Sequence, residues 1–222
     1  MQIYAELSNK MNKDLGLESS PIAIFFSPEA PEGVDQMKGK IRLCQMLDKV
    51  RLEGESFYTT SENHECDGGA NSCGLKELRE RLKTGEFLSE DLGLFASRRA
   101  ARRFINSNPR IEFGTVKLVS FLPLEKAKFE PDVVVLVCNA KQGMKIAEAF
   151  AYETGNKTVG LTGPPICSAV VAAPFLTGEV VYSLGDSGAR KFTKVKDEDI
   201  FVGISGELLP DIVENLGKLK FP

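Results

Sequence analysis

Two stretches of this chain repeat one unusual order of residues, and that repeat limits the folds open to it. Cys44, a helical stretch and Gly54-Glu55-Ser56-Phe57-Tyr58-Thr59 are matched by Cys167, a helical stretch and Gly178-Glu179-Val180-Val181-Tyr182-Ser183. Both read Gly-Glu-x-x-Tyr-(Ser/Thr). Past the tyrosine, Asp67-Gly68-Gly69-Ala70 parallels Asp186-Ser187-Gly188-Ala189. A unit repeated in this way is one supersecondary element used twice, here helix, tight turn, strand and Gly-containing loop. Residues 41–75 and 164–192 are therefore expected to lie in two diverged, pseudo-symmetric halves of a single domain covering residues 1–222. Equivalent helix starts and loops should meet near a local two-fold, bringing Cys44 towards Cys167.

Periodicity fills in the rest. Ile3, Leu7, Met11 and Leu15 recur every fourth residue and predict a helix over 3–15; Leu43, Met46, Leu47 and Val50 predict another, stopped by Gly54. Strands are expected at 22–26, 57–60, 116–122, 133–137, 157–161, 180–183 and 200–204. The run Val133-Val134-Val135-Leu136-Val137, apolar throughout, suits a sheet centre. Further helices are expected from about Leu75, with Leu78 and Leu82 on one face, over Leu94 to Ile105, around Met144, Ala147 and Ala151, and from Leu208 to Leu219. Residues 61–73 read as a polar loop. Strands interleaved with helices give an α/β class, with a mixed α+β sheet as the variant.

Charge and composition exclude several functions. A net charge of -3 argues against a general nucleic-acid binder, which needs a basic surface to neutralise phosphates. The apolar stretches are too short for the roughly 20 residues of a membrane span. Charged residues within the first 17 positions speak against a signal peptide, so a cytoplasmic location is expected. Five cysteines in such a chain point to a reducing compartment, where they serve as thiolates, metal ligands or core residues. A small molecule or a redox protein is the expected partner, and the oligomeric state is left open.

The cysteines carry the chemistry. Cys66 and Cys73 lie in the polar loop beside Gly68, Gly69 and Gly74, although their spacing matches no short zinc-finger or ferredoxin run. Together with Cys44 and Cys167 they supply four thiols, enough for an iron–sulfur cluster or zinc if the fold gathers them. The other readings are inert buried thiols and a redox or nucleophilic pair. Pro164-Pro165 before Cys167 suits a helix N-terminus, where free N–H groups lower a thiol pKa. Cys138, closing the central strand, reads as core.

His64, the single histidine, precedes Cys66 by two residues, and on an extended chain both side chains share a side. It is a candidate ligand or proton carrier, the alternative being a surface-loop histidine. Asp67, Gly68, Gly69, Gly188 and Arg190 are candidate ligand-binding positions, because glycine permits positive φ or close backbone approach. Arg98, Arg99, Arg102 and Arg103 form a basic helix edge for a carboxylate, a phosphate or an acidic redox partner, unless they are merely solvated. Gly160-Leu161-Thr162-Gly163-Pro164-Pro165 lacks the Rossmann and phosphate-loop patterns, so nucleotide binding there is a weak alternative. No nucleophile elbow or His-Glu-x-x-His helix is present.

Arg42-Leu43-Cys44-Gln45, Tyr58-Thr59-Thr60, His64-Glu65-Cys66-Asp67-Gly68-Gly69, Cys167 and Leu184-Gly185-Asp186-Ser187-Gly188-Ala189-Arg190 resemble an archaeal and bacterial family, domain of unknown function 169. The resemblance runs through nearly the whole chain. It implies a single-domain protein with Cys44, Cys66 and Cys167 as family features and leaves the fourth ligand open among Cys73, Asp186 and His64. The leading expectation is a metal- or iron–sulfur-binding protein. One alternative is an enzyme holding a small anionic substrate between the halves with a reactive cysteine. The other is a non-catalytic interaction module.

Overall fold

The computed structural model describes residues 3–220. Among them, seven strands run in chain order: β1 (Ile22–Ser27), β2 (Phe57–Thr59), β3 (Leu118–Pro123), β4 (Val133–Asn139), β5 (Val159–Gly160), β6 (Val180–Ser183) and β7 (Asp199–Ser205). They form one sheet in the order β2-β3-β1-β4-β7-β6-β5. Neighbours pair antiparallel, except β5, which pairs parallel with β6. The class is mixed α/β in one domain, with the antiparallel pairing of the α+β variant.

Nine α-helices accompany the sheet among the described residues: α1 (Ile3–Leu15), α2 (Leu43–Glu53), α3 (Asp67–Ser72), α4 (Glu80–Lys83), α5 (Arg98–Ser107), α6 (Ala140–Thr154), α7 (Ala173–Thr177), α8 (Ser187–Phe192) and α9 (Leu209–Lys218). π-helical turns occupy Phe87–Asp91 and Cys167–Ala172. No helix among the described residues is long and apolar enough to cross a membrane.

Strand β4 sits at the centre, as its sequence predicts. Successive side chains of a strand point to opposite faces, so Val133, Val135 and Val137 join one core while Val134, Leu136 and Cys138 join the other. The first core is closed by α2, α3 and the Cys167–Ala172 turn, and the second by α1, α6 and α9. Close backbone approach makes the first layer thin. A Cβ on Gly203 of β7 would lie 2.3 Å from the Val170 carbonyl oxygen.

Both repeat glycines do the same job. Gly54 ends α2 at φ 70° and Gly178 ends α7 at φ 69°, each leading at once into a strand, β2 or β6. Left-handed backbone at a helix C-terminus is the region glycine occupies without steric cost.

Several expectations shift. Ile3 is 57% exposed, so α1 buries Leu7, Met11 and Leu15 with Tyr4 and Ser8. In α6 the core-facing residues are Gly143, Ile146 and Ala149, and Met144 is exposed. The polar loop contains a helix, α3. The helix expected from Leu75 shrinks to α4, because Gly74 and Gly85 take positive φ on either side of it. The ends of the sheet are short. β5 has two residues, and the outer side of three-residue β2 is engaged by residues 35–37, with Tyr58 donating to Asp35 O and Met37 donating to Tyr58 O.

Candidate functional site

The sheet face that carries both repeat helices gathers all four candidate cysteines, with Cys73 at its core. Cys44 is the second residue of α2, half-buried; Cys167 opens the π-helical turn, 7% exposed; Cys66 is the N-cap of α3 and exposed. Arg42 fixes the first of these helix starts. Its guanidinium stacks 3.8 Å from the Phe192 ring centre of α8 and pairs with both oxygens of Glu65, at 3.0 and 3.1 Å. One side chain thus ties α2 to the loop that presents Cys66.

Hydroxyls connect α3 to the second helix start. The Ser72 hydroxyl donates to Gly68 O at 2.9 Å and lies 3.5 Å from Cys167 Sγ and 2.8 Å from Ser168 Oγ. With the Ser72 proton directed to Gly68, Ser168 supplies the hydrogen between the two hydroxyls. A Cβ on Gly68 would lie 3.6 Å from Cys66 Sγ, so Cys66 lies against the first turn of α3, while Ser72 at the helix end meets Cys167.

Burial, followed by the Asp186 carboxylate and then Cys66, pushes the Cys44 thiol up to about 12. Burial, then Cys66, pushes the Cys167 thiol well above its ordinary value, with Asp186 and Cys73 adding to the rise. The expected lowering of Cys167 at a helix start is therefore reversed, because loss of water outweighs the helix dipole for a side chain this deep. Cys73 is fully buried at the end of α3, packs in the core and is pushed up to about 12 by burial alone.

The remaining candidates have mostly structural work. Asp186 caps α8 through Gly188 N and Ala189 N and accepts from Ile166 N at 2.9 Å, so it orients the start of the Cys167 turn. Asp67 is paired with Arg79 at 2.6 Å. Cys66, not Asp67, holds the cap position that Asp186 holds in the second half. Gly68, Gly69 and Gly188 have ordinary φ, and the left-handed residue of that region is Gly185. Close approach does apply, since a Cβ on Gly69 would meet Leu43 Cβ at 3.1 Å and one on Gly188 would meet Asp186 Oδ1 at 2.9 Å. Arg190 donates to the carbonyls of Leu184, Lys196 and Asp199 and so closes its own loop.

His64 departs from its expected place beside Cys66. It is 2% exposed, whereas Cys66 is at the surface, because the chain pairs with Ile41 at His64 and then turns into α3. Its Nε2 lies 3.1 Å from Thr59 Oγ1, and that hydroxyl donates to Val119 O. Nε2 therefore carries the hydrogen, and Nδ1 is a buried acceptor with no hydrogen-bond partner among the described residues. Burial, with Lys76 adding to it, lowers the imidazole to about 4.

Of the arginines on α5, Arg98 is bound to Glu86 and Glu90, while Arg99, Arg102 and Arg103 stay exposed. Among the described residues, no group of three or more His, Cys, Asp or Glu side chains is placed to hold a metal ion. Sequence reasoning quoted Arg42 only within a motif, giving it no role, and missed Ser72 and Ser168, although both serines adjoin a cysteine that it singled out.

The family model described as uncharacterised ArCR, domain of unknown function 169, matches residues 10–215. The chain belongs to this family. The uncharacterized protein MJ0308 of Methanocaldococcus jannaschii is 31% identical over 189 residues, which cover 84% of this chain and 80% of that protein. No solved structure matches the chain. The match spans both repeat units and every cysteine, so the thiol-bearing face lies wholly inside the family region.

Proposed function

We propose that the protein works by thiol–disulfide exchange, with exposed Cys66 as the attacking thiol and buried Cys167 as the resolving one. The observation that carries this reading is that exposed Cys66 caps the start of α3 while Ser72, at the end of the same helix, lies 3.5 Å from the Sγ of buried Cys167. A thiolate is the attacking species, and access governs which cysteine meets a partner first. Cys66 gives its proton to water and attacks a disulfide, forming a mixed disulfide and releasing one thiolate. Cys167 then attacks Cys66 Sγ, its proton passing to the second departing thiolate. Two protein thiols are oxidised and one external disulfide is reduced.

The strand order supports two similar halves meeting at this face. Set against each other, β1, β2, β3 and β4, β6, β7 give an order that reads alike from either end, β2-β3-β1 then β4-β7-β6, with β5 outside.

The second reading is uptake of zinc or an iron–sulfur cluster by Cys44, Cys66 and Cys167. It is favoured by the way Asp186 and Cys66 add to the burial that raises the Cys44 and Cys167 thiols, since a cation at that point would favour the deprotonated thiols. Cys73 would stay in the core.

Anaerobic purification, metal and acid-labile sulfide analysis and the visible spectrum are followed by alkylation mapping before and after oxidised glutathione. The expected result is colourless protein in which Cys66 alkylates first and a Cys66–Cys167 disulfide forms. Stoichiometric metal lost in the Cys44→Ser or Cys167→Ser variant would establish the second reading. Uniformly slow alkylation would refute both the exchange mechanism and the enzyme alternative.

A further inference from the structure

Between β2 and β3 the chain inserts α4, the Phe87–Asp91 turn and α5, and two cavities open on this insertion. One, of about 430 Å³, is walled by Arg99, Arg102, Arg103 and Ser107. The other, of about 530 Å³, has an apolar floor of Leu78, Ile105, Ile111 and Phe113, with Arg110 at its rim. Asn106 lines both, so the two cavities adjoin at that residue, as two ends of one open surface groove.

The two ends differ in chemistry. At the first, three guanidiniums project from positions i, i+3 and i+4 of α5, and none makes an ion pair among the described residues, whereas Arg98 on the same helix is committed to Glu86 and Glu90. Unpaired guanidiniums facing one concavity repel one another and are relieved by a multivalent anion, and their fork matches phosphate oxygens bidentately. At the second, Phe113, 56% exposed, lines the cavity together with buried Ile105 and Ile111. The acids there are Glu77, which pairs with Lys83, and Glu112. Each cavity falls in the range of about 300–1,000 Å³ found for small-molecule sites.

We infer that this groove binds a phosphorylated small molecule with a flat apolar body, of the nucleoside-diphosphate type, phosphates on Arg99, Arg102 and Arg103 and body against Phe113. The site is separate from the thiols and does not depend on their chemistry. Isothermal titration of the full-length protein with ADP, pyrophosphate and adenosine tests it. ADP is expected to bind most tightly, pyrophosphate more weakly and adenosine weakest. The double variant Arg102→Ala/Arg103→Ala should weaken ADP and pyrophosphate by at least about tenfold. Phe113→Ala should weaken ADP while leaving pyrophosphate unchanged. No binding of ADP or pyrophosphate at millimolar concentration would overturn the inference, as would binding indifferent to the arginine substitutions. Displacement of bound ADP is also expected from pyrophosphate; polyglutamate binding to the arginines where ADP does not would overturn the assignment in favour of an acidic protein partner.

Discussion

Neutral, buried His64 ties the stability of this protein to pH in a direction that can be worked out. In the folded chain its imidazole titrates at about 4, because burial disfavours the cation; the ordinary value is 6.5. Between these values the unfolded chain binds a proton that the folded chain refuses, so stability falls as pH drops from 6.5 towards 4 and is unaffected by this group above 6.5. At 1.36 kcal/mol per pH unit, the loss reaches about 2 kcal/mol at pH 5 and about 3 kcal/mol at pH 4. Other groups titrate in the same window, so the comparison is with His64→Gln, whose amide can still reach Thr59 and does not ionise. Urea unfolding at pH 7.5 and pH 5 is the assay. The wild type should lose about 2 kcal/mol more than the variant, a difference of roughly 1 M in urea midpoint at ordinary slopes. Equal losses in the two proteins would refute the account of His64 as a buried neutral side chain.

Two glycines test the packing. Gly203→Ala puts a methyl 2.3 Å from the Val170 carbonyl and 2.7 Å from Pro174, neither of which can swing away, and is expected to cost about 3 kcal/mol in urea unfolding. Gly54→Ala meets nothing within 4 Å, so only its left-handed backbone is penalised and about 1 kcal/mol should be lost by the same assay.

How far the fold could be read depended on how local its causes were. The strand at 133–137 and helices α1, α2 and α9 announce themselves through apolar spacing, and Gly54 and Gly178 mark the ends of their helices as expected. α3 was hidden because Gly68 and Gly69 weaken the helical signal; contacts with α2 and the Cys167 turn hold it instead. The repeat pointed to Cys44 and Cys167 approaching each other, and both pack against one core. Which thiol would be exposed did not follow from it, since Cys73 and Cys66 sit in one polar segment and differ only in which end of α3 they occupy. Likewise Arg190 and Asp186 resemble site residues in sequence, yet long-range and loop hydrogen bonds engage both. Arg99, Arg102 and Arg103 were visible as a basic edge, whereas their join to the Phe113 cavity through Asn106 depends on how the insertion folds back.

The short strands at the two ends of the sheet bear on how copies of this molecule can meet. An open sheet edge is a template on which another chain can add strands, the first step towards edge-to-edge assembly. Here the β2 edge is already occupied by residues 35–37, and β5 offers only Val159 and Gly160 before the chain reaches Pro164 and Pro165. Growth of the sheet from molecule to molecule is thus blocked at one end and too brief to register at the other.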